Sequence, residues 1–417
     1  MRRLLTLLAA TVFAVGIAVT VSAADAPSAR EAVGKPVQSA QALLKQKRAK
    51  EAIARLREAD AVKDKTPYEN YLIAETRAAA QIDDADYADA IVSLEAALAT
   101  GVLSPSESVQ RLQTLTQLAY QEKAYAATVG YAERYYARGG TDRTPRVLMA
   151  EAYYLEADYA NAARTVRALL QAEARSATAP PEDLLLTLAS SEFKSGDAAG
   201  YRDALMRLVG TYPKRQYWID MLAAQQRAPG FGDRLRLDLD RLRLAADAFD
   251  APGQYVESAE RALAAGFPGD ARAFLDHGLH GGALDGGPTA ERVRRLAVLA
   301  NRQAADDATQ WSARAADAAT GDNGVAWETL GEAYASAGDM AAAIAAFETS
   351  LRQGGLPHPE DATLHLGIAC LRAGQVDRAK QVLSSVSGRD GTADLARLWL
   401  ILNHLDTRST SSKDSRS

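Results

Sequence analysis

The chain has a single cysteine, Cys370, in 417 residues. A disulfide needs two thiols and a cysteine-based zinc site needs more, so neither can be built within one chain. The five histidines are scattered, which leaves little material for a metal centre. Aromatic residues are only 6%, and small side chains, alanine above all, supply the apolar fraction. That composition favours closely packed helices over thick sheets. No charge of one sign dominates, with 48 Lys+Arg facing 53 Asp+Glu. No Walker loop, dinucleotide fingerprint or G-x-S-x-G elbow occurs. These absences argue against an enzyme, a bound cofactor and a small-molecule substrate.

The first 23 residues read as an address. Arg2 and Arg3 form a basic head, and Leu4–Val21 is apolar apart from three threonines. Val21-Ser22-Ala23 then places small residues where a signal peptidase reads them. The expectation is a cleaved secretory signal, cut after Ala23, and a periplasmic protein. The rival reading is an uncleaved anchor helix. No cysteine follows the apolar run, which excludes a lipoprotein anchor. Without Arg2 and Arg3 the formal charge moves from −5 to −7, and without the basic tail from Thr407 it reaches −9. An acidic body argues against nucleic acid and anionic membranes as partners. Residues 24–38 read as a linker and 407–417 as a disordered tail.

What is present is a repeat. Trp327, Leu330, Gly331, Tyr334, Gly338, Ala343 and Phe347 stand at the offsets W-x2-L-G-x2-Y, turn glycine, A-x3-F. The same offsets recur 36 residues later at Leu366, Gly367, Cys370, Gly374, Ala379 and Leu383. Cys370 takes the tyrosine position, so it reads as a small buried residue, not a nucleophile. Gly331 lets two helices approach closely, Gly338 suits the turn between them, and Ala343 faces the neighbouring helix. The small residue on the second helix forms a ladder: Ala52, Ala90, Thr128, Ala162, Ala204, near Leu237, Ala271, Ala308, Ala343 and Ala379. Its steps of 33 to 42 residues indicate about ten helical pairs.

The expected fold is therefore all-α, an α-solenoid of helix-turn-helix repeats forming a right-handed superhelix. A seam between Ala248 and Gly253 divides it into arrays 39–250 and 251–406. Arg234–Leu244 alternates leucine with charge and mimics a strand, but within a run of repeats it reads as helix.

A stacked array offers a concave channel for an extended or helical partner segment. Offsets +1, +5 and +8 from the tryptophan position line it. They give Gln113, Gln117 and Tyr120, then Val147, Glu151 and Tyr154, then Glu328 and Glu332. Amides, tyrosines and carboxylates suit a peptide backbone and basic side chains; the plain alternative is a solvated polar face. His277 and His280 share a helical face, but no third ligand stands at matching spacing, so no metal site is expected. Tyr217-Trp218 reads as core before it reads as a peptide anchor.

The motif at Trp327–Phe347 resembles the tetratricopeptide repeat, and the resemblance extends over Ser39–Leu405. More narrowly, several segments are similar to the periplasmic tetratricopeptide proteins that accompany TonB–ExbB–ExbD systems. They are Tyr212-Pro213 with Tyr217-Trp218, Ala264–Pro268, Leu351–Leu356, and Lys380–Leu383 with Ala396–Leu400. That resemblance implies a cell-envelope scaffold touching TonB, ExbB, ExbD or a TonB-dependent receptor. The alternative is an adaptor of another envelope machine, serving outer-membrane protein assembly, secretion or polysaccharide export.

Overall fold

In a computed structural model, residues 28–414 are described apart from 175–177, 285–289 and 322, and side chains are described up to 404. The expected signal segment and its cleavage point lie outside the described residues. The fold is all-α, with about ten paired helix-turn-helix repeats in series. It divides by packing into two compact units, one ending at Glu156 and the other running from Ala157.

The first unit holds α1 (Glu31–Lys45), α2 (Ala49–Asp60), α3 (Pro67–Asp83), α4 (Tyr87–Ala99), α5 (Pro105–Gln121), α6 (Tyr125–Ala137) and α7 (Thr144–Leu155). Helix α1 begins inside the segment read as a linker, because Val33, Val37 and Ala40 form a buried stripe against Leu56 and Ile73. Capping fixes the starts of α3 and α5. Thr66 and Ser104 accept from the amides of Glu69 and Glu107, whose carboxylates answer the cap backbone, and a proline follows each cap. The turns within pairs each carry one left-handed residue, here Lys47, Ala85 and Lys123. Leu94, Leu112, Leu115 and Tyr135 form the next core.

The second unit holds α8 (Tyr159–Ala172), α9 (Glu182–Ser195), α10 (Ala198–Thr211), α11 (Arg215–Gln226), a 3-10 turn (Asp233–Leu235) and α12 (Arg236–Ala245). It continues with α13 (Pro252–Ala264), α14 (Pro268–His280), α15 (Ala290–Thr320), α16 (Val325–Ala337) and α17 (Met340–Gln353). It closes with α18 (Pro359–Arg372), α19 (Val376–Ser385) and α20 (Thr392–Asp414). The backbone of α20 thus runs into the segment read as a tail. Leu330, Ala343, Phe347 and Ala379 are buried, and Gly338 and Gly374 supply the left-handed turns at φ 90 and 74. Asp339 caps α17 through the Ala342 amide. Trp327 is half-buried, and the Tyr334 ring lies 5.0 Å from Trp311. Trp218 is core, as expected, and Tyr217 donates to Glu182.

Two departures matter for the site. The seam placed near Ala248–Gly253 falls inside the second unit, because Leu237 and Phe249 share one core with Tyr255 and Phe274. In place of the eighth pair stands a single helix, α15, of 31 residues. It packs against α14 and α16 through Val293 and Ala300, and α14 also meets α16 directly. Asp270 N donates to Ser336 Oγ at 3.0 Å, and a Cβ at Gly269 would lie 1.9 Å from Ser336 O. All four tryptophans of the sequence, Trp218, Trp311, Trp327 and Trp399, belong to the second unit, whereas the first is rich in tyrosine.

Candidate functional site

In the first unit, the expected lining residues fall on the first helices of successive pairs. Gln113, Gln117 and Tyr120 follow one face of α5, and Val147, Glu151 and Tyr154 follow one face of α7. All six are half-buried. Tyr120 Oη donates to Glu151 at 2.6 Å and so joins the two faces. Burial, then the adjacent Glu151, pushes the Tyr120 phenol well above its ordinary range, so it remains a donor. On the α3 side, Arg111 pairs with Glu75 at 2.6 Å, and both are nearly buried. This face offers hydroxyl, amide and carboxylate groups, which suit a peptide segment.

The second unit is different, and the reason lies in α12. Its leucines Leu237, Leu239 and Leu242 and its charges Asp238, Asp240 and Arg243 are all buried. The alternation that mimics a strand is that of a helix enclosed on every side. Arg241 points into the face where Glu328 and Glu332 were expected to line a channel. It bonds Asp238 at 2.8 Å, Asp270 at 2.8 Å and Glu332 at 3.1 Å. His365 of α18 meets Asp238 at 3.0 Å and Glu332 at 3.8 Å. Just before α12, Arg234 reaches Asp361 at 2.5 Å and Asp390 at 2.6 Å. Glu332 is therefore engaged within the chain. Glu328, one turn earlier, sits half-buried near Glu332, Asp361 and Asp238, and burial pushes its carboxyl up to about 7. Burial pushes the His365 imidazolium down, but Asp238 and Glu332 more than offset this and hold its pKa at about 9. Asp238 lies below the usual carboxylate range: burial raises it, and His365 and Arg241 together lower it further.

Asp238, Glu332 and His365 are ligand types for a divalent cation, and their ligand atoms lie within 4.8 Å of one another. Arg241 already bridges the two carboxylates, so the positive charge comes from the chain itself. The arrangement is a buried ion-pair network. His277 faces Asp247 at 3.0 Å and His280 faces the Asp276 carbonyl at 2.7 Å, so those two histidines have local roles. The network escaped the motif reading because its members come from α12, α14, α16 and α18. Its one visible signal was charge placed between leucines in a helix.

A tetratricopeptide-repeat family model matches residues 334–403. No curated protein matches. Among solved structures, the chain is similar to the C-terminal part of a TPR repeat-containing protein from Cytophaga hutchinsonii. That match has 12% identity, a TM-score of 0.32, and covers 78% of this chain and 98% of the other. It is also similar to the TPR2AB domain of yeast Sti1 in its pHSP90 complex. There the identity is 14% and the TM-score 0.27, over 64% of this chain and 98% of the other. Among the described residues no helix is long and apolar enough to cross a membrane. Residues 334–403 thus carry the tetratricopeptide repeat, within an all-α array of paired helices.

Proposed function

We propose that the chain is a non-enzymatic protein–protein interaction scaffold of the cell envelope, exported to the periplasm, and that it supports TonB-dependent outer-membrane transport. The observation that carries the binding part is the half-buried face of α5 and α7, tied together by Tyr120 and Glu151. A partner segment would lie along it, with its backbone on the amides of Gln113 and Gln117 and a basic side chain toward Glu151. The N-terminal segment supports export, and the segments around Tyr217-Trp218 and Leu351–Leu356 support the TonB system.

In-cell cross-linking of the tagged protein, followed by mass spectrometry, tests the reading. Enrichment of TonB, ExbB, ExbD or a TonB-dependent receptor, lost on Gln117→Ala with Glu151→Ala, is the expected result. Capture of an outer-membrane assembly, secretion or polysaccharide-export machine would replace the TonB reading and keep the scaffold. Capture unaffected by the double variant would move the binding face away from α5 and α7.

A further inference from the structure

The turn and helix from Gly232 to Ala245 act as a strap across the later repeats of the second unit. Charged side chains reach from this strap to α18: Arg234 to Asp361, and Asp238 to His365. Leu237 belongs to the core of α13–α16 with Tyr255, Phe274 and Ala333. Phe347, Leu366, Cys370 and Ala379 form a separate core. These charged contacts tie α18 to the strap, and the strength of the Asp238–His365 contact depends on protonation.

We infer that the Asp238–His365 contact is a pH latch, shut while the imidazole carries its proton and eased when the proton leaves. The groups facing His365 fix the direction. Asp238 and Arg241 approach from α12, and Glu328 and Glu332 approach from α16. The Phe347 ring of α17 lies 5.7 Å away. With two carboxylates nearest, the shut form favours the imidazolium, and its pKa rises from 6.5 to about 9. A raised histidine contributes fully below its free value and loses the contribution as pH climbs through the raised one. Glu328 works in the same sense. It faces His365, Glu332, Asp361 and Asp238, and its raised pKa of about 7 means that closure prefers the neutral acid. That contribution is present below 4.5 and lost as pH rises through about 7. The depressed Asp238 gives way only in strong acid, toward about 2. The latch is therefore tightest in mild acid and slackens from neutral pH upward. This inference does not depend on the identity of any partner.

Tryptic cleavage of the full chain after Arg234, Arg236 and Arg241 reads the strap directly. Rates are taken from pH 6.5 to 9.5 relative to an unstructured peptide of the same sequence, which cancels the pH profile of trypsin. Circular dichroism at each pH confirms that the chain stays folded. The expected result is a relative rate that climbs by up to about tenfold per pH unit between 7 and 9, then levels. His365→Gln should remove that climb. Should that variant not fold, NMR titration of the His365 ring in the unaltered protein decides, with a midpoint near 9 expected. A midpoint at or below 7, or a relative cleavage rate flat across the range, overturns the latch.

Discussion

Gly331 of α16 lies under the ring of Phe347 of α17: a Cβ at 331 would come within 2.7 Å of the ring carbons. The next pair repeats the relationship at the same offset, where a Cβ at Gly367 would come within 2.5 Å of the Leu383 side chain. Phe347 is buried and has little room to turn. Gly331→Ala should cost about 1–2 kcal/mol, overpacking exceeding the gain in helix propensity. Gly130 of α6 has nothing within 4 Å of its would-be Cβ. Gly130→Ala should stabilise by about 0.5–1 kcal/mol. Urea melts of both variants check the opposite signs.

Ala343 is fully buried at the centre of its helix pair. Ala343→Glu puts an unpaired carboxylate there, at a cost of about 3–5 kcal/mol. Loss of tryptophan-detected folding, or a melting temperature lowered by many degrees, is the expected reading. An unchanged melting temperature would show that Ala343 does not face the neighbouring helix as described.

Arg241 holds three carboxylates together. Arg241→Met leaves Asp238, Asp270 and Glu332 facing one another, and should cost about 3–5 kcal/mol. The loss should shrink in acid, where the carboxylates take up protons. Chemical denaturation at neutral and at mildly acidic pH compares the two.

Acid should act on the first unit through Glu69. Arg30 binds its carboxylate through Nε and Nη2 at 2.8 and 2.7 Å, and Thr66 N adds a bond at 2.9 Å. The Arg30 contact, then Thr66, holds Glu69 down at about 2. A depressed carboxylate contributes above its free value of 4.5 and loses the contribution as pH falls through about 2. Arg30→Ala should therefore move acid unfolding of the first unit to higher pH, followed by circular dichroism during an acid titration.

The repeat was legible because its determinants are local. A glycine at a turn, an alanine at a close approach and an aromatic four residues on are fixed by helix geometry, whatever the neighbours do. The same register puts Gln113, Gln117 and Tyr120 on one face of α5 and Val147, Glu151 and Tyr154 on one face of α7. The eighth pair was not legible. Gln303-Ala-Ala-Asp-Asp offers no glycine where Gly338 turns, and no aspartate stands where Asp339 caps α17. All of these residues tolerate a helix, so α15 runs on without a turn. Glu332 read as a groove carboxylate because spacing gives its face, not its partner. Arg241 lies 91 residues away and reaches Glu332 only because α14 and α16 meet directly and bring α12 beside them.

The uneven placement of aromatic residues gives the chain two optical channels. Every tryptophan reports on the second unit, while tyrosine emission excited at shorter wavelength is weighted toward the first. A single unlabelled sample can therefore show which half melts first. A ligand that protects only one channel would betray which half it occupies, before any partner has been named.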